Sequence, residues 1–129
     1  MEIIFDTNFF ITCVKQKIDL FKEIEEQFGN PTLIIPIQTI EELKKLQKSK
    51  RLNVKEKTAI NVALEIIKKK NVKFIDLENS YVDTGLFDYC KGKKAIIATL
   101  DRALKEAIIK ENKEAKFLII RGMRKIDLE

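Results

Sequence analysis

Apolar and polar positions along this chain repeat one order: a short continuous apolar run, then a longer stretch with apolar residues at every third or fourth place. Ile3, Ile4 and Phe5 make the first run, and residues 2–5 are predicted as a strand. Residues 8–14 and 18–28 follow as two helices, the second carrying Ile18, Phe21, Ile24 and Phe28 at helical spacing. Gly29, Asn30 and Pro31 form a turn. Leu33, Ile34 and Ile35 are a second strand closed by Pro36, and residues 37–48 return to helix with Ile37, Ile40, Leu43 and Leu46 on one face. Beyond a basic turn at 49–53, a long helix over 54–69 carries Ile60, Ala63, Leu64 and Ile67. Residues 72–75 are a third strand, 80–90 a helix with Val82, Leu86 and Tyr89 inward, 95–98 a fourth strand, 101–111 a helix and 117–120 a fifth strand.

Strands with no polar alternation are buried on both faces. Alternating with helices, they predict an α/β fold: a three-layer α/β/α sandwich around a central, mainly parallel, five-stranded sheet. No linker, repeat or low-complexity segment interrupts the 129 residues, so a single domain over 1–129 is expected. Sites in such sheets gather at the carboxyl ends of the strands. No GxGxxG or GxxxxGK[ST] sequence is present, which argues against a dinucleotide or P-loop site.

Composition narrows the chemistry further. Histidine is absent, which excludes Ser-His-Asp and Cys-His nucleophiles and an imidazole-bound zinc. Cys13 and Cys90 lie far apart among apolar neighbours and read as small buried hydrophobes. No apolar run approaches the length of a membrane span, and the amino terminus has no signal-like pattern, so a cytoplasmic protein without a membrane partner is expected. The net charge of +5 points to a polyanionic partner such as nucleic acid, although a lysine-rich surface serves solubility equally well.

Acids recur where a parallel sheet would place a site. Asp6 follows the first strand and Asp101 the fourth, with Thr99 two residues before it. Asp83 opens the helix after the third strand. Glu41 and Glu42 both flank the apolar stripe of the helix after the second, and helical phase does not choose between them. Each acid has an ordinary alternative as a helix cap, a first-turn acid or part of a solvated face. Four carboxylates meeting at one point would repel strongly, however, and would need a cation or a proton. An all-oxygen site suits Mg²⁺ or Mn²⁺.

These residues resemble the PIN-domain family of metal-dependent ribonucleases. FDTNFF is similar to the family's strand-Asp-Thr-Asn signature, and PIQTIEELKKL to its second motif, which selects Glu42. YVDTGLFDYC resembles the third motif through Asp83 and Leu86, with Thr84 where some members carry a second acid; Asp88 lies further round that helix. IIATLDRALKEAI resembles the fourth through Thr99, Asp101 and Leu104. The four motifs stand in family order from Asp6 to about Arg121, and the tail LIIRGMRKIDL resembles that of small archaeal members, which are similar to the PIN nucleases of ribosomal RNA processing and of toxin–antitoxin pairs.

The resemblance implies a PIN-like fold and an endoribonuclease that leaves a 5′-phosphate and a 3′-hydroxyl. Asp6, Glu42, Asp83 and Asp101 are its implied catalytic and Mg²⁺- or Mn²⁺-binding residues. Asn8 and Thr99 are candidates to orient them. Lys44, Lys45, Lys48, Lys50, Arg51 and Arg102 are candidate RNA contacts. Lys91, Lys93 and Lys94 form a second basic cluster, and Arg121, Arg124 and Lys125 a third. Most Phe residues fall inside apolar runs, so recognition by stacked bases is not expected. Beside RNA, the resemblance leaves a homodimer, an antitoxin and a ribosomal precursor particle open as partners. A competing reading is a non-catalytic RNA-binding ribosome-assembly factor that keeps the fold. A receiver-type phosphoacceptor wants paired acids at the first strand, and a haloacid-type phosphatase wants an acid where Asn8 stands.

Overall fold

The computed structural model describes residues 1–122 and 125–129. Its elements run β1 (Glu2–Phe5), α1 (Thr7–Lys15), α2 (Leu20–Phe28), β2 (Thr32–Pro36), α3 (Ile37–Gln47), α4 (Val54–Lys69), β3 (Lys73–Ile75), α5 (Val82–Tyr89), β4 (Ala95–Ala98), α6 (Arg102–Glu111), β5 (Lys116–Arg121) and β6 (Lys125–Leu128). The sheet order is β3-β2-β1-β4-β5-β6. The first five strands pair in parallel, and β6 is antiparallel to β5. The chain winds outward from β1 through β2 to β3, then returns to the other side of β1 as β4. The point where winding reverses therefore lies between β1 and β4, whose carboxyl ends frame a crevice.

Period-two alternation divides the strand side chains between two cores. Ile3, Phe5, Ile35, Ile96, Ala98 and Leu118 face α1 to α4. Ile4, Ile34, Ile97 and Phe117 face α5 and α6, through Val82, Leu86, Leu104 and Ile108. This is the expected three-layer sandwich. Polar side chains set where the helices begin. Asp6, Asp19 and Asp101 cap α1, α2 and α6, and Asn53 forms a reciprocal capping box with Glu56 at α4.

The sheet has six strands among the described residues, rather than the expected five. Gly122, at φ 65°, turns the chain back, and β6 pairs Arg121 with Lys125 and Leu118 with Leu128. KIDL carries only two apolar residues in alternation, too short a signal to read as a strand. Yet Ile126 is buried and Leu128 packs against the same core. Helix α5 begins at Val82, later than the expected 80, because residues 76–81 are drawn into a loop by side-chain hydrogen bonds.

Part of that loop is fixed by packing against α5. A Cβ at Gly85 would stand 2.8 Å from the Cβ of Leu77, which is too close to its backbone to swing away. Replacing glycine by alanine within a helix normally gains about 1 kcal/mol. Overpacking of this kind costs about 1–3 kcal/mol, so Gly85→Ala is expected to lower the unfolding free energy, read as a lower urea midpoint at unchanged m-value. A midpoint at or above that of the parent protein would mean that Leu77 gives way.

Candidate active site at the carboxyl ends of the strands

The β1–β4 ladder runs one residue past β1, with the Asp6 N–H donating to the Ala98 carbonyl at 2.9 Å. This draws Asp6 into the protein, where it is 3% exposed. Its Oδ1 accepts the Thr7 N–H at 2.8 Å, and its Oδ2 accepts the hydroxyl of Thr99, also at 2.8 Å. The Thr99 hydroxyl in turn accepts the Asp101 N–H at 3.2 Å, and Asp101 Oδ1 caps α6 through the Leu104 N–H at 3.2 Å. On the other side, the Thr7 hydroxyl donates to Glu42 Oε1 at 3.1 Å. One chain of hydrogen bonds thus links Glu42, Thr7, Asp6, Thr99 and Asp101. Asp6 and Asp101 are helix caps as well; their placement at strand ends serves both roles.

Asp83, in the first turn of α5, completes the group. It faces Asp101 across the site, and its charge raises the carboxyls of Asp6 and Glu42. The four acids grade from a buried floor at Asp6, through half-buried Glu42 and Asp101, to an exposed rim at Asp83.

Burial pushes the Asp6 carboxyl from its ordinary 3.8 up to about 6. The charges of Asp83 and Glu42 contribute in the same direction, and the bonds from Thr99 and Thr7 oppose the shift. Glu42 is raised by burial and by Asp83, against the Thr7 hydroxyl and the nearby Lys45. Asp83 is raised by partial burial and by Asp101.

The donor set is carboxylate and hydroxyl oxygen, which suits a hard divalent cation. The thiols play no part: burial pushes Cys13 up to about 12 and Cys90 up to about 11. Among the described residues no three acidic, His or Cys side chains are drawn into one ready-made cage. A cleft of about 730 Å³ between α1, α2 and α4 is lined by Phe10, Ile18, Phe21 and Ile66 and contains none of the four acids. The acids occupy the rim of the sheet instead.

The structure also places the other candidate residues. Asn8 is exposed, and its neighbour Thr7 makes the bond to an acid. Glu41 is exposed, whereas Glu42 is half-buried and held by Thr7. Asp88 pairs with Lys91 at 3.4 Å. Lys44, Lys45, Lys48, Arg51 and Arg102 are all exposed. Lys91, Lys93 and Lys94 precede β4 and so lie at the opposite end of the sheet from the acids. Arg121 is committed to Asp127 at 2.8 Å, and Arg124 lies outside the described residues. Sequence reasoning did not find Gln38. Its buried amide donates to Asp76 Oδ1 at 2.6 Å and accepts the Leu77 N–H at 3.0 Å, tying the loop before α5 to α3.

A PIN-like domain matches residues 3–122. The chain is 38% identical over 130 residues to Ribonuclease VapC4 of Methanocaldococcus jannaschii, covering 95% of this chain and 98% of that protein. Among solved structures, the PIN domain endonuclease Utp24 superposes with a TM-score of 0.80 at 26% identity, over 99% of this chain and 90% of that one. VapBC2 from Rickettsia felis, solved with a DNA fragment from its promoter, shares the fold with a TM-score of 0.55 at 16% identity, over 83% of this chain and 93% of that one.

The raised carboxyl of Asp6 has a consequence for stability. Between pH 3.8 and about 6 the folded protein holds this proton more tightly than the unfolded chain. Stability therefore falls as pH rises through that window, by about 3 kcal/mol for a shift of this size. Glu42 and Asp83 are shifted in the same direction and add to the fall. In metal-free buffer, urea unfolding should give a lower free energy at pH 7 than at pH 4.5, and Asp6→Asn should remove most of the difference. A flat profile in the parent protein would contradict the burial of an unpaired carboxylate.

Proposed function

This chain belongs to the PIN-like domain family, and we propose that its 129 residues form a single nuclease domain that cleaves RNA internally with the aid of Mg²⁺ or Mn²⁺. What supports the reading is one observation: at the reversal point of the sheet Glu42, Asp6 and Asp101 are linked through Thr7 and Thr99, and the charge of Asp83 acts on Asp6 and Glu42 beside them. A protein that only bound RNA would gain nothing from a cluster of acids that repels phosphate and costs stability.

Asp6 and Asp101, fixed by strand ends and by their caps, are the rigid ligands in this proposal, and Glu42 and Asp83 reach the ion directly or through water. A bound Mg²⁺ or Mn²⁺ would supply a water of lowered pKa and positive charge facing the phosphoryl oxygens. Thr99 holds the Asp6 carboxylate in place with its hydroxyl and receives the Asp101 N–H, so one side chain sets the spacing of two ligands. Thr7 does the same for Glu42. Lys45, close enough to Glu42 to lower its pKa, and Arg102, next to Asp101, are placed to receive the phosphate backbone. Lys44, Lys48 and Arg51 extend this basic track along and beyond α3. Of the partners that the resemblance names, RNA is the one this surface supports. An antitoxin or a ribosomal precursor particle would act through that same bound RNA or through control of it.

The test is cleavage of end-labelled RNA by the purified protein with Mn²⁺, with Mg²⁺ and with EDTA. Metal-dependent cutting is expected. Asp6→Asn should lower the rate at least about 100-fold, because it removes a direct ligand of the ion that stabilises the transition state. Thr7→Val, which leaves every carboxylate in place, should cost about 10- to 100-fold. Cutting that survives EDTA and Asp6→Asn would end the metallonuclease reading. Lys45→Ala should weaken RNA binding and reduce the slope of log affinity against log salt by about 0.7, the value for one single-strand phosphate contact.

A further inference from the structure

The rim of the acidic site carries two large apolar side chains in water. Tyr81 is 75% exposed and Leu100 is 37% exposed, and neither packs into either core. Tyr81 stands two residues before Asp83, and Leu100 immediately before Asp101. Helices α5 and α6 pack against each other through Val82, Leu86, Leu104 and Ile108, so the two junctions that open them, β3 to α5 and β4 to α6, lie on one side of the site. Other exposed apolar side chains, such as Val62 and Ile109, sit on helix faces away from the acids.

We propose that Tyr81, supported by Leu100, is a stacking platform for an unpaired base beside the phosphate to be cut. The proposal rests on the reading of the acids as an RNA-cutting centre. Three features argue for it. A tyrosine left in water beside a charged site contributes nothing to the core, yet presents a flat face that any base can cover. Its loop is built to hold still. The Gln38 amide clamps Asp76 and Leu77, Asp76 Oδ1 accepts the Glu78 N–H at 2.8 Å, and Asn79 Oδ1 accepts the Tyr81 N–H at 2.9 Å. Glu78 is held at φ 56°, a conformation that only a well-determined loop sustains in a non-glycine residue. Little freedom is therefore lost when a base docks. Finally, duplex RNA keeps its bases inside the helix, so only a looped or single-stranded segment can offer a face to Tyr81 while its phosphate lies at the acids.

The experiment uses the Asp6→Asn protein, which binds without cutting, and a set of short single-stranded oligoribonucleotides with 2-aminopurine placed at successive positions. Quenching should peak at one position. Adding Tyr81→Ala should abolish that peak and weaken binding roughly 5- to 150-fold, with the salt slope unchanged because no phosphate contact is lost. Tyr81→Phe should restore both, since the ring face and not the hydroxyl makes the contact. Leu100→Ser should diminish quenching at the same position, and a duplex of the same sequence should bind Tyr81→Ala as well as the parent. Unchanged quenching and affinity in Tyr81→Ala, failure of Tyr81→Phe to rescue, or absence of RNA binding altogether would each overturn the platform. Cleavage by the otherwise unaltered protein is read separately. If quenching behaves as expected while no RNA is cut, the nuclease reading falls and the platform stands.

Discussion

The carboxylate of Asp6 is held at the reversal point of the sheet by two hydrogen bonds, from the Thr7 N–H and the Thr99 hydroxyl. Among the described residues no cation pairs with it. The Thr99 bond spans 93 residues of sequence and joins the ends of β1 and β4, the two strands at the centre of the sheet. Because the Thr99 hydroxyl also receives the Asp101 N–H, the separation of the two acids is a property of the central ladder and not of a mobile loop. The other two acids are brought in from helices whose starting points are set by the neighbouring strands β2 and β3.

Such a site works against the fold that carries it. Burial and mutual repulsion raise Asp6, Glu42 and Asp83 together, so the charged form is costly until something positive arrives. The surrounding structure absorbs that cost with two apolar cores, one on each face of the sheet, and with helix caps that use the same aspartates twice. A cation that binds only the folded form returns stability by mass action, which couples the site's chemistry to the stability of the whole protein.

The segment between β3 and α5 shows how a loop can be made rigid without a core of its own. A buried glutamine amide, two Asx turns and the close approach of Leu77 to Gly85 fix it from both ends. Asp83 and Tyr81 both inherit their positions from this arrangement. The Asp83 carboxylate and the exposed aromatic ring are thus presented by one pre-set turn.

Much of this was legible in the residues alone. Continuous apolar runs separated by helical periodicity dictate a parallel sheet covered on both sides, because no other arrangement buries such strands. Acids just past strand ends, in a chain without histidine, mark where the sheet gathers its carboxylates. Where the sequence was silent, the deciding contact lay far away along the chain. Glu42 differs from Glu41 because Thr7, 35 residues distant, reaches it, and no helical phase contains that fact. Thr7 rather than Asn8 faces an acid because the first turn of α1 buries Thr7 toward Glu42 of α3 and leaves Asn8 in solvent. Lys91 to Lys94 are separated from the acids by the length of a strand, and Arg121 is taken up by Asp127 across a hairpin that four weakly patterned residues did not announce. Periodicity tells which way a side chain points from its own element. Only the packing of elements against one another decides what it then meets.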